Sequence, residues 1–247
     1  MSSETERATA PSWVCLDAEA QLWAATYYVP GFQCRTVAVP LEGQGWLILS
    51  PGASLAGTLP AEMRQRGAPE LLLIPNGFHH LGIEAWQSAH LQAQACGAES
   101  ARIRAMKLKP GRNIQGLTVV KARLPQHVRL LELPGTRIGE VWLTIRSAQG
   151  VSWAVGDAFF NIPTLPKNWL RRWVFQLLGS APGLRISQLM KWGGFADRVV
   201  VRRWLLEQLA QDHPARLVPN HGEVLDDASL GTGEVTRRLQ GLIEARL

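Results

Sequence analysis

An apolar run in the first third of the chain, Leu71 to Ile74, stops at the turn sequence Pro75–Gly77 and is followed by two adjacent histidines, His79 and His80. Because proline and glycine prevent the run from continuing as a helix, it is predicted to be a short buried strand. From Leu81 to Ala95 the apolar residues recur about once per helical turn, which predicts an amphipathic helix. The histidines are therefore predicted to lie between a strand end and a helix start, where α/β proteins carry much of their chemistry.

The composition is that of an ordinary globular protein, with 247 residues, 46% hydrophobic and 19% charged. Such a chain can bury one substantial core and no stretch looks like a linker, so we expect a single domain over 11–247, with a helical segment at about 166–213. Residues 1–10 are polar and predict a disordered tail rather than a secretory signal. No run approaches the roughly 20 apolar residues that span a bilayer, so we expect a cytoplasmic protein without a membrane segment. The three cysteines lack metal-type spacing and are expected to be reduced.

Strands and helices are predicted in two blocks. Strands are predicted over Leu22–Val29, Cys34–Leu41, Trp46–Ser50 and Leu71–Ile74, and then over Leu117–Ala122, His127–Leu133, Glu140–Ile145, Val151–Val155 and Ala215–Pro219. Helices are predicted over Ala61–Arg66, Leu81–Ala95, Trp169–Leu178, Ile186–Trp192, Ala196–Asp212 and Glu234–Arg246. Ser100–Gly116 is predicted to be a basic loop with room for short structure only. Strand blocks that are each followed by helices are typical of two packed sheets with helices on both outer faces.

The stretch from Ile74 to Gly82 resembles the signature of the metallo-β-lactamase fold superfamily, Thr-His-x-His-x-Asp-His-x-Gly, which also follows a buried strand and opens a helix. The last histidine and the glycine are unchanged, and that histidine is His80. His79 stands at the aspartate, while Pro75 and Gly77 stand at the two histidines of His-x-His. The chain is similar to a divergent branch of the superfamily in which Pro-Asn followed by His-His replaces the usual motif. The resemblance implies an α/β protein with the four-layer αββα sandwich of the metallo-β-lactamase type.

Further segments resemble superfamily motifs in the same order along the chain. Gly-Asp at Asp157 resembles the strand end whose aspartate bridges two metals, and the residues around His221 resemble the loop that presents the last histidine. Leu133–Gly139 resembles the Pro-Gly-His motif, with Thr136 at the histidine. Ser50 stands at the aspartate of an Asp-x-Gly motif, so the resemblance implies that an outer carboxylate is absent.

The resemblance implies one metal position at most. The residues that match the ligands of one metal are all capable ligands: His79, His80, Asp157 and His221. Those that match the ligands of the other metal are not: Pro75, Gly77 and Thr136. Three histidines and a carboxylate suit one divalent ion, which would be zinc, iron or manganese, and the alternative is that no ion binds. As the catalytic residue, Asp157 would also orient the attacking water.

Each of these residues has a structural interpretation as well. His79 and His80 could be loop histidines bonded to the backbone, Asp157 a turn residue, and His221 part of a tight turn. Two functions therefore stay open. The first is a metal-dependent hydrolase of an anionic ester-type substrate, although the superfamily's carboxylate that accepts the proton of the attacking water is missing at His79. The second is a catalytically inactive binding or scaffold protein that kept the fold.

The formal charge of +6 is concentrated in two basic clusters. Arg102 to Arg112 holds five basic residues without an acid, and Lys167 to Arg203 holds eight against Asp197 alone. The part of the second cluster from Arg171 to Arg203 is predicted to form a helical cap near the site that favours a small anionic substrate, although solvated helix faces explain the charges as well. Nucleic-acid binding, which would be salt-dependent, is not favoured, because the tryptophans fall at the spacing of a helical core rather than among basic residues on a strand. The sequence does not predict an oligomeric state.

Overall fold

Two sheets, one of seven strands and one of six, lie at the centre of the computed structural model. The structure describes residues 12–29, 32–164, 181–186, 188 and 190–247. The tail predicted over 1–10 and the helix predicted over 169–178 therefore lie outside the described residues. Within the described ranges, no helix has both the length and the apolar character needed to cross a membrane.

The first sheet contains the predicted hairpin and the buried strand that precedes the histidines. Its strands, in both sequence and spatial order, are β1 (Trp13–Asp17), β2 (Leu22–Val29), β3 (Phe32–Pro40), β4 (Trp46–Leu49), β5 (Pro69–Leu73), β6 (Gln94–Cys96) and β7 (Ile114–Gln115). The strands from β1 to β4 pair antiparallel, and those from β4 to β7 pair parallel. Both faces of β5 are covered, because Leu71 and Leu73 belong to one hydrophobic cluster and Leu72 belongs to another on the opposite face of the sheet, which explains the unbroken run of leucines.

The second sheet carries the Asp157 and His221 motifs. Its strands are β8 (Val128–Glu132), β9 (Val141–Ser147), β10 (Gly150–Ile162), β11 (Gly183–Arg185), β12 (Arg216–Gly222) and β13 (Leu225–Asp226). They lie in the order β13-β12-β10-β9-β8, and β11 pairs with β10. The strand end predicted at Val155 is wrong, because β10 continues through a bulge to Ile162, in parallel pairing with β12.

The helices lie outside the two sheets. Those in the described part are α1 (Ala61–Arg66), α2 (Ile83–Ala89), α3 (Glu99–Leu108), α4 (Leu117–Lys121), α5 (Arg198–Asp212), α6 (Asp227–Leu230) and α7 (Glu234–Arg246), with a 3-10 turn at Ala53–Leu55 and a π-helical turn at Met190–Gly194. The start of α5 is set by Asp197, whose side chain accepts hydrogen bonds from the N–H groups of Val199 and Val200. Its end is set by His213, which adopts the left-handed conformation.

Three predictions between the histidines and the second sheet are wrong in part or in whole. The helix predicted over Leu81–Ala95 is too long, since α2 ends at Ala89 and Gln94–Cys96 forms β6, which pairs with β5. Ser100–Gly116, predicted as a loop, contains most of α3, because Ala101 and Ala105 form a buried face one helical turn apart. Such small side chains contribute little to an apolar pattern. Leu117–Ala122, predicted as a strand, forms α4, because only Val120 is buried against the core and one face of a short helix provides that contact.

Three hydrophobic clusters define the layers. One lies between the sheets and joins residues of both, such as Leu71 of β5 and Leu143 of β9. Another packs the outer face of the second sheet against the helices α5 and α7, with Trp142 and Leu205 among its members. A third packs the outer face of the first sheet against α1 and α2, where Trp86 is fully buried. The order helix, sheet, sheet, helix confirms the predicted α/β fold, a four-layer αββα sandwich.

Candidate metal centre

The loop after β5 carries His79 and is held by two close contacts. Asn76 closes the turn, since its side-chain Oδ1 accepts a hydrogen bond from the N–H of Phe78 at 2.9 Å. At the far end of the loop, a Cβ on Gly82 would lie 2.0 Å from the carbonyl oxygen of Pro51. Only glycine fits there. The loop is therefore fixed at both ends, and with it the place from which His79 leaves the backbone.

Asp157 reaches the same place from the bulge in β10. The parallel strands β10 and β12 are in register at Val155 and Pro219, and again at Phe160 and His221. Between these points β10 has more residues than β12, so its backbone bulges at Asp157. Bulges re-aim side chains at functional sites, and this one turns an acidic residue toward the last residues of the neighbouring strand.

Three of the four predicted ligands meet in one buried cluster, which we call the triad: His79, Asp157 and His221. The Nε2 atom of His79 lies 3.0 Å from Oδ1 of Asp157, and Nε2 of His221 lies 3.2 Å from the same oxygen. One ligand atom from each residue lies within 4.8 Å of the other two. The side chains are about one-tenth exposed, at 8%, 11% and 8% respectively. Two imidazole nitrogens and a carboxylate oxygen thus share one small volume.

His79 is oriented by polar groups on its other side. Its Nδ1 lies 3.2 Å from the hydroxyl of Ser50, which lies 3.2 Å from the hydroxyl of Tyr27. The Asn220 amide nitrogen lies 2.9 Å from Nδ1 and 3.0 Å from Nε2 of the same ring. Ser50 has a left-handed φ of 56°, and its carbonyl accepts a hydrogen bond from Thr36 at 2.6 Å. The hydroxyl of Ser50 therefore lies beside the His79 ring, although Ser50 replaces the aspartate of the superfamily's Asp-x-Gly motif.

His221 is oriented through the backbone of the first sheet. Its Nδ1 lies 3.0 Å from the carbonyl oxygen of Gln33 and 3.8 Å from Sγ of Cys34, both on β3. A carbonyl can only accept, so Nδ1 carries a proton and donates it to Gln33. This bond leaves Nε2 directed at Asp157, which is the tautomer that a metal-binding histidine needs.

The charges within the triad support one another. Burial alone would raise the pKa of Asp157, but the charges and hydrogen bonds of His79 and His221 hold it well below its usual range. Burial alone would lower the pKa of His221, but its hydrogen bond to Asp157 raises it to about 10. The carboxylate is thus ionised at neutral pH and attracts a cation to this position, either a proton on the imidazole or a metal ion.

Glu140 is a buried acid that the sequence patterns do not single out. Its carboxylate accepts hydrogen bonds from the Asn76 amide at 3.0 Å, the Trp142 indole at 3.0 Å and the N–H of Ala158 at 2.9 Å. Burial and the neighbouring charge of Asp157 raise the pKa of Glu140 to about 7. By bonding Ala158, Glu140 holds the bulge that carries Asp157. The only signal of Glu140 in the sequence is the presence of an acid directly before an apolar stretch.

The prediction that His80 joins the other three residues is wrong. His80 is buried, and its Nδ1 lies 2.5 Å from a guanidinium nitrogen of Arg112. Arg112 in turn forms two bonds with the carboxylate of Glu84, at 2.5 and 2.9 Å. Burial and then the charge of Arg112 lower the pKa of His80, which keeps it neutral as a hydrogen-bond acceptor. His79 and His80 diverge because they are consecutive in the turn, so only one of them reaches the triad.

The positions of the superfamily's other metal are used for packing and hydrogen bonds. A Cβ on Gly77 would lie 2.6 Å from Cδ of Arg104, whose guanidinium lies over the ring of Phe78 at 4.6 Å. The hydroxyl of Thr136 donates to the carbonyl of Leu133 at 3.2 Å. A histidine at position 77 would therefore meet the Arg104 side chain. Gly77 and Thr136 thus have structural uses at these positions, and the loss of this metal position stays a prediction.

A cavity of about 400 Å³ opens beside the triad. Its described walls are His79, Asp157 and His221 together with Tyr27, Tyr28, Val29, Cys34, Pro51, Ala53, Ser54, Phe78, Leu81 and Gly82. No lysine or arginine is among these residues. The basic residues Arg185, Lys191 and Arg198 of the predicted cap are described and do not line it, and much of the remaining cap lies outside the described ranges.

Solved metallo-β-lactamases have the same architecture. The metallo-β-lactamase from Hirschia baltica aligns over 95% of this chain and 98% of that chain, with a TM-score of 0.59 and 9% sequence identity. The metallo-β-lactamase FIM-1 from Pseudomonas aeruginosa, solved in its mono-zinc form, aligns over 96% of each chain, with a TM-score of 0.58 and 10% identity. A flavodiiron core from Synechocystis aligns over 96% of this chain and 62% of that chain, with a TM-score of 0.57 and 11% identity. The chain matches no protein-family model and no curated protein sequence.

These likenesses and the layer order show the fold of the chain. The chain has the metallo-β-lactamase fold, as the order of its motifs predicts. Its candidate site lies where strands of the two sheets meet and contains a group of residues capable of holding a metal.

Proposed function

We propose that the chain is a single-metal hydrolase whose ion is held by His79, Asp157 and His221. The observation that carries the proposal is the convergence of two imidazoles and a carboxylate in a buried position that opens into a cavity. A loop, a bulge and a strand supply the three residues, so no local sequence pattern brings them together. Buried histidines and acids that converge in a cleft are candidates for a functional site.

The donor set fits a divalent ion. The imidazole nitrogens lie 3.0 and 3.2 Å from Oδ1 of Asp157, near the separation of about 3.3 Å between neighbouring ligands of tetrahedral zinc with bonds of about 2.0–2.1 Å. The outer partners of the two imidazoles, Ser50 and the Gln33 carbonyl, resemble those that orient metal-binding histidines. Three protein ligands leave a fourth position for water or substrate, as in catalytic zinc sites.

Zinc is the first expectation for the ion, and iron and manganese accept the same nitrogen and oxygen donors. A mono-zinc form of FIM-1 supports the idea that this fold holds a single ion. When bound, such an ion polarises a carbonyl oxygen and lowers the pKa of a water molecule to about 7.

Asp157 has a second task in the proposed reaction. Both imidazole nitrogens face its Oδ1, and in the described part of the chain no hydrogen bond reaches Oδ2. This second oxygen can accept a hydrogen bond from the attacking water and orient it, which takes over the positioning part of the role of the carboxylate that the superfamily motif loses at His79. In ester hydrolysis the water oxygen bonds to the acyl carbon and the acyl C–O bond breaks. One proton of the water passes to the leaving alcohol, and the other passes to solvent.

A catalytically inactive binding protein is the second candidate. The contacts of Gly77 with Arg104 and of Thr136 with Leu133 favour it, because they give the neighbouring metal position a structural use. In this function, protonated His221 would neutralise Asp157 as an internal ion pair.

Turnover measured with and without metal separates the two candidates. Protein purified without a polyhistidine tag would be stripped with EDTA and tested on generic ester, thioester and phosphodiester substrates before and after one equivalent of zinc, iron or manganese. The hydrolase proposal expects zinc-dependent turnover that Asp157→Asn and His221→Gln abolish while the variants stay folded. His213→Asn is the matched control, because His213 is exposed at the end of α5 and asparagine tolerates its left-handed backbone. If metal does not change the turnover of the wild-type protein, the binding-protein function is favoured.

A further inference from the structure

The described walls of the cavity beside the triad are mostly apolar, and Ser54 is the polar exception outside the triad. Tyr27, Val29 and Cys34 come from the hairpin of β2 and β3. Phe78 and Leu81 come from the loop that carries His79. A volume of about 400 Å³ lies within the range of small-molecule sites, roughly 300–1,000 Å³, which are mostly apolar with a few convergent polar groups. Here the convergent polar groups are the three residues of the triad.

The rim of this cavity exposes large apolar side chains. Tyr28 is 65% exposed, Phe78 is 40% exposed and Leu81 is 71% exposed, and all three line the same opening. Scattered apolar residues are common on surfaces, but a group of them around one opening marks a binding site. These side chains offer a partner only apolar contacts and the hydroxyl of Tyr28.

Among the described residues, the lysine and arginine side chains lie outside the cavity wall. The guanidinium of Arg104 lies on the ring of Phe78, and Arg104 is not among the described lining residues. An anionic group inside the cavity would give up its hydration beside ionised Asp157. The described lining offers it no cation beyond the one that Asp157 already neutralises, so its burial there is unfavourable. The small anionic substrate expected from the basic clusters has no counterpart in this wall.

We propose that the cavity binds the uncharged, apolar acyl chain of an ester, with the carbonyl of the ester against the triad. This inference rests on the proposed hydrolase function for the reaction, but not for binding, because the apolar walls do not depend on a metal. Any anionic part of the substrate lies outside the cavity, on the alcohol side and toward Arg104. Hydrolysis of such an ester releases an apolar carboxylic acid and an alcohol.

Binding is tested without metal, so that failure of the hydrolase proposal leaves the result interpretable. N-phenyl-1-naphthylamine, a neutral apolar fluorophore, would be titrated into EDTA-treated full-length protein. Leu81→Asp should weaken its binding at least about tenfold, because a charge replaces an apolar contact. Leu91→Asp is the matched control, since Leu91 is 85% exposed and lies beside a different depression. The affinity of the Leu91→Asp variant for the fluorophore should stay within about twofold of wild type.

Turnover then tests the position of the chain relative to the triad. With zinc-loaded protein, kcat/KM should rise along the 4-nitrophenyl esters of acetate, butyrate and octanoate and be lowest for the charged hemisuccinate. Fluorophore binding that is sensitive to Leu81→Asp but without turnover supports the apolar site and counts against the hydrolase proposal alone. No fluorophore binding, equal effects of the Leu81 and Leu91 variants, or preference for the hemisuccinate would overturn the apolar site.

Discussion

Two substitutions of Ser50 distinguish its role in orienting His79 from its role in the backbone turn. Its hydroxyl lies 3.2 Å from His79 Nδ1 and 3.2 Å from the hydroxyl of Tyr27, and its own φ is 56°. Ser50→Ala and Ser50→Gly both remove the hydroxyl contacts. Only the glycine variant also relieves the left-handed backbone, because glycine adopts positive φ without steric cost.

The two variants should differ in stability and agree in metal affinity. Each lost hydrogen bond costs about 0.5–1.5 kcal/mol, so Ser50→Ala should lower the free energy of unfolding by about 2 kcal/mol. The left-handed conformation costs a non-glycine residue roughly 1–2 kcal/mol, so Ser50→Gly should recover most of that loss. Loss of the outer partner of a metal-binding histidine typically weakens affinity by about 10–100-fold, and both variants lose this partner.

Competition with a chromophoric chelator gives the zinc affinity, and urea unfolding of EDTA-treated protein gives the stability. Ser54→Ala is the control, because Ser54 is exposed on the cavity wall and should change neither quantity. The reasoning about Ser50 is refuted if Ser50→Gly binds zinc as tightly as wild type, since Ser50 would then serve only the turn.

The remaining predictions concern Glu140, Gly77 and His80. The folded-state pKa of Glu140, about 7, exceeds its ordinary value of 4.5, so its contribution to stability is present below pH 4.5 and is lost as the pH rises through 7. Urea unfolding of metal-free protein between pH 5 and 8 should show this loss. In Glu140→Gln the pH-dependent loss of the free energy of unfolding should be smaller, by at most about 3 kcal/mol; the same pH profile in variant and wild type would contradict the raised pKa of Glu140. Gly77→His should still bind one ion per chain by elemental analysis, because the side chain of Arg104 lies 2.6 Å from the position that its Cβ would take; two ions would show that only a ligand was missing. His80→Ala should lower the free energy of unfolding by about 1–2 kcal/mol but keep one bound ion, since His80 bonds Arg112 instead of the triad; loss of the ion would restore His80 as a ligand.

The sequence identified the fold through residues that obey simple periodicity. The unbroken apolar run before Pro75 predicted a buried strand, and the apolar stretches before Asp157 and His221 predicted two more. Because the three motifs follow in the superfamily's order, their meeting in space was foreseeable, and His79, Asp157 and His221 do meet.

Contacts made only in the folded chain were not foreseeable. His80 looks as capable a ligand as His79, and only its bond to Arg112, far along the chain, separates the two. The sequence shows Ser50 only as the residue that replaces an aspartate of the superfamily. Its hydroxyl reaches His79 because the turn at Ser50 is left-handed. Glu140 accepts hydrogen bonds from three segments of the chain, and no spacing pattern in the sequence predicts these contacts.

The single-ion centre is tested most directly by anomalous X-ray scattering at the zinc edge from a crystal of the zinc-equilibrated protein. The proposed centre predicts one anomalous peak per chain, at about 2.0–2.1 Å from Nε2 of His79 and Nε2 of His221 and at a similar distance from a carboxylate oxygen of Asp157. Two peaks per chain, a peak bound by His80, or no peak at the triad would contradict it.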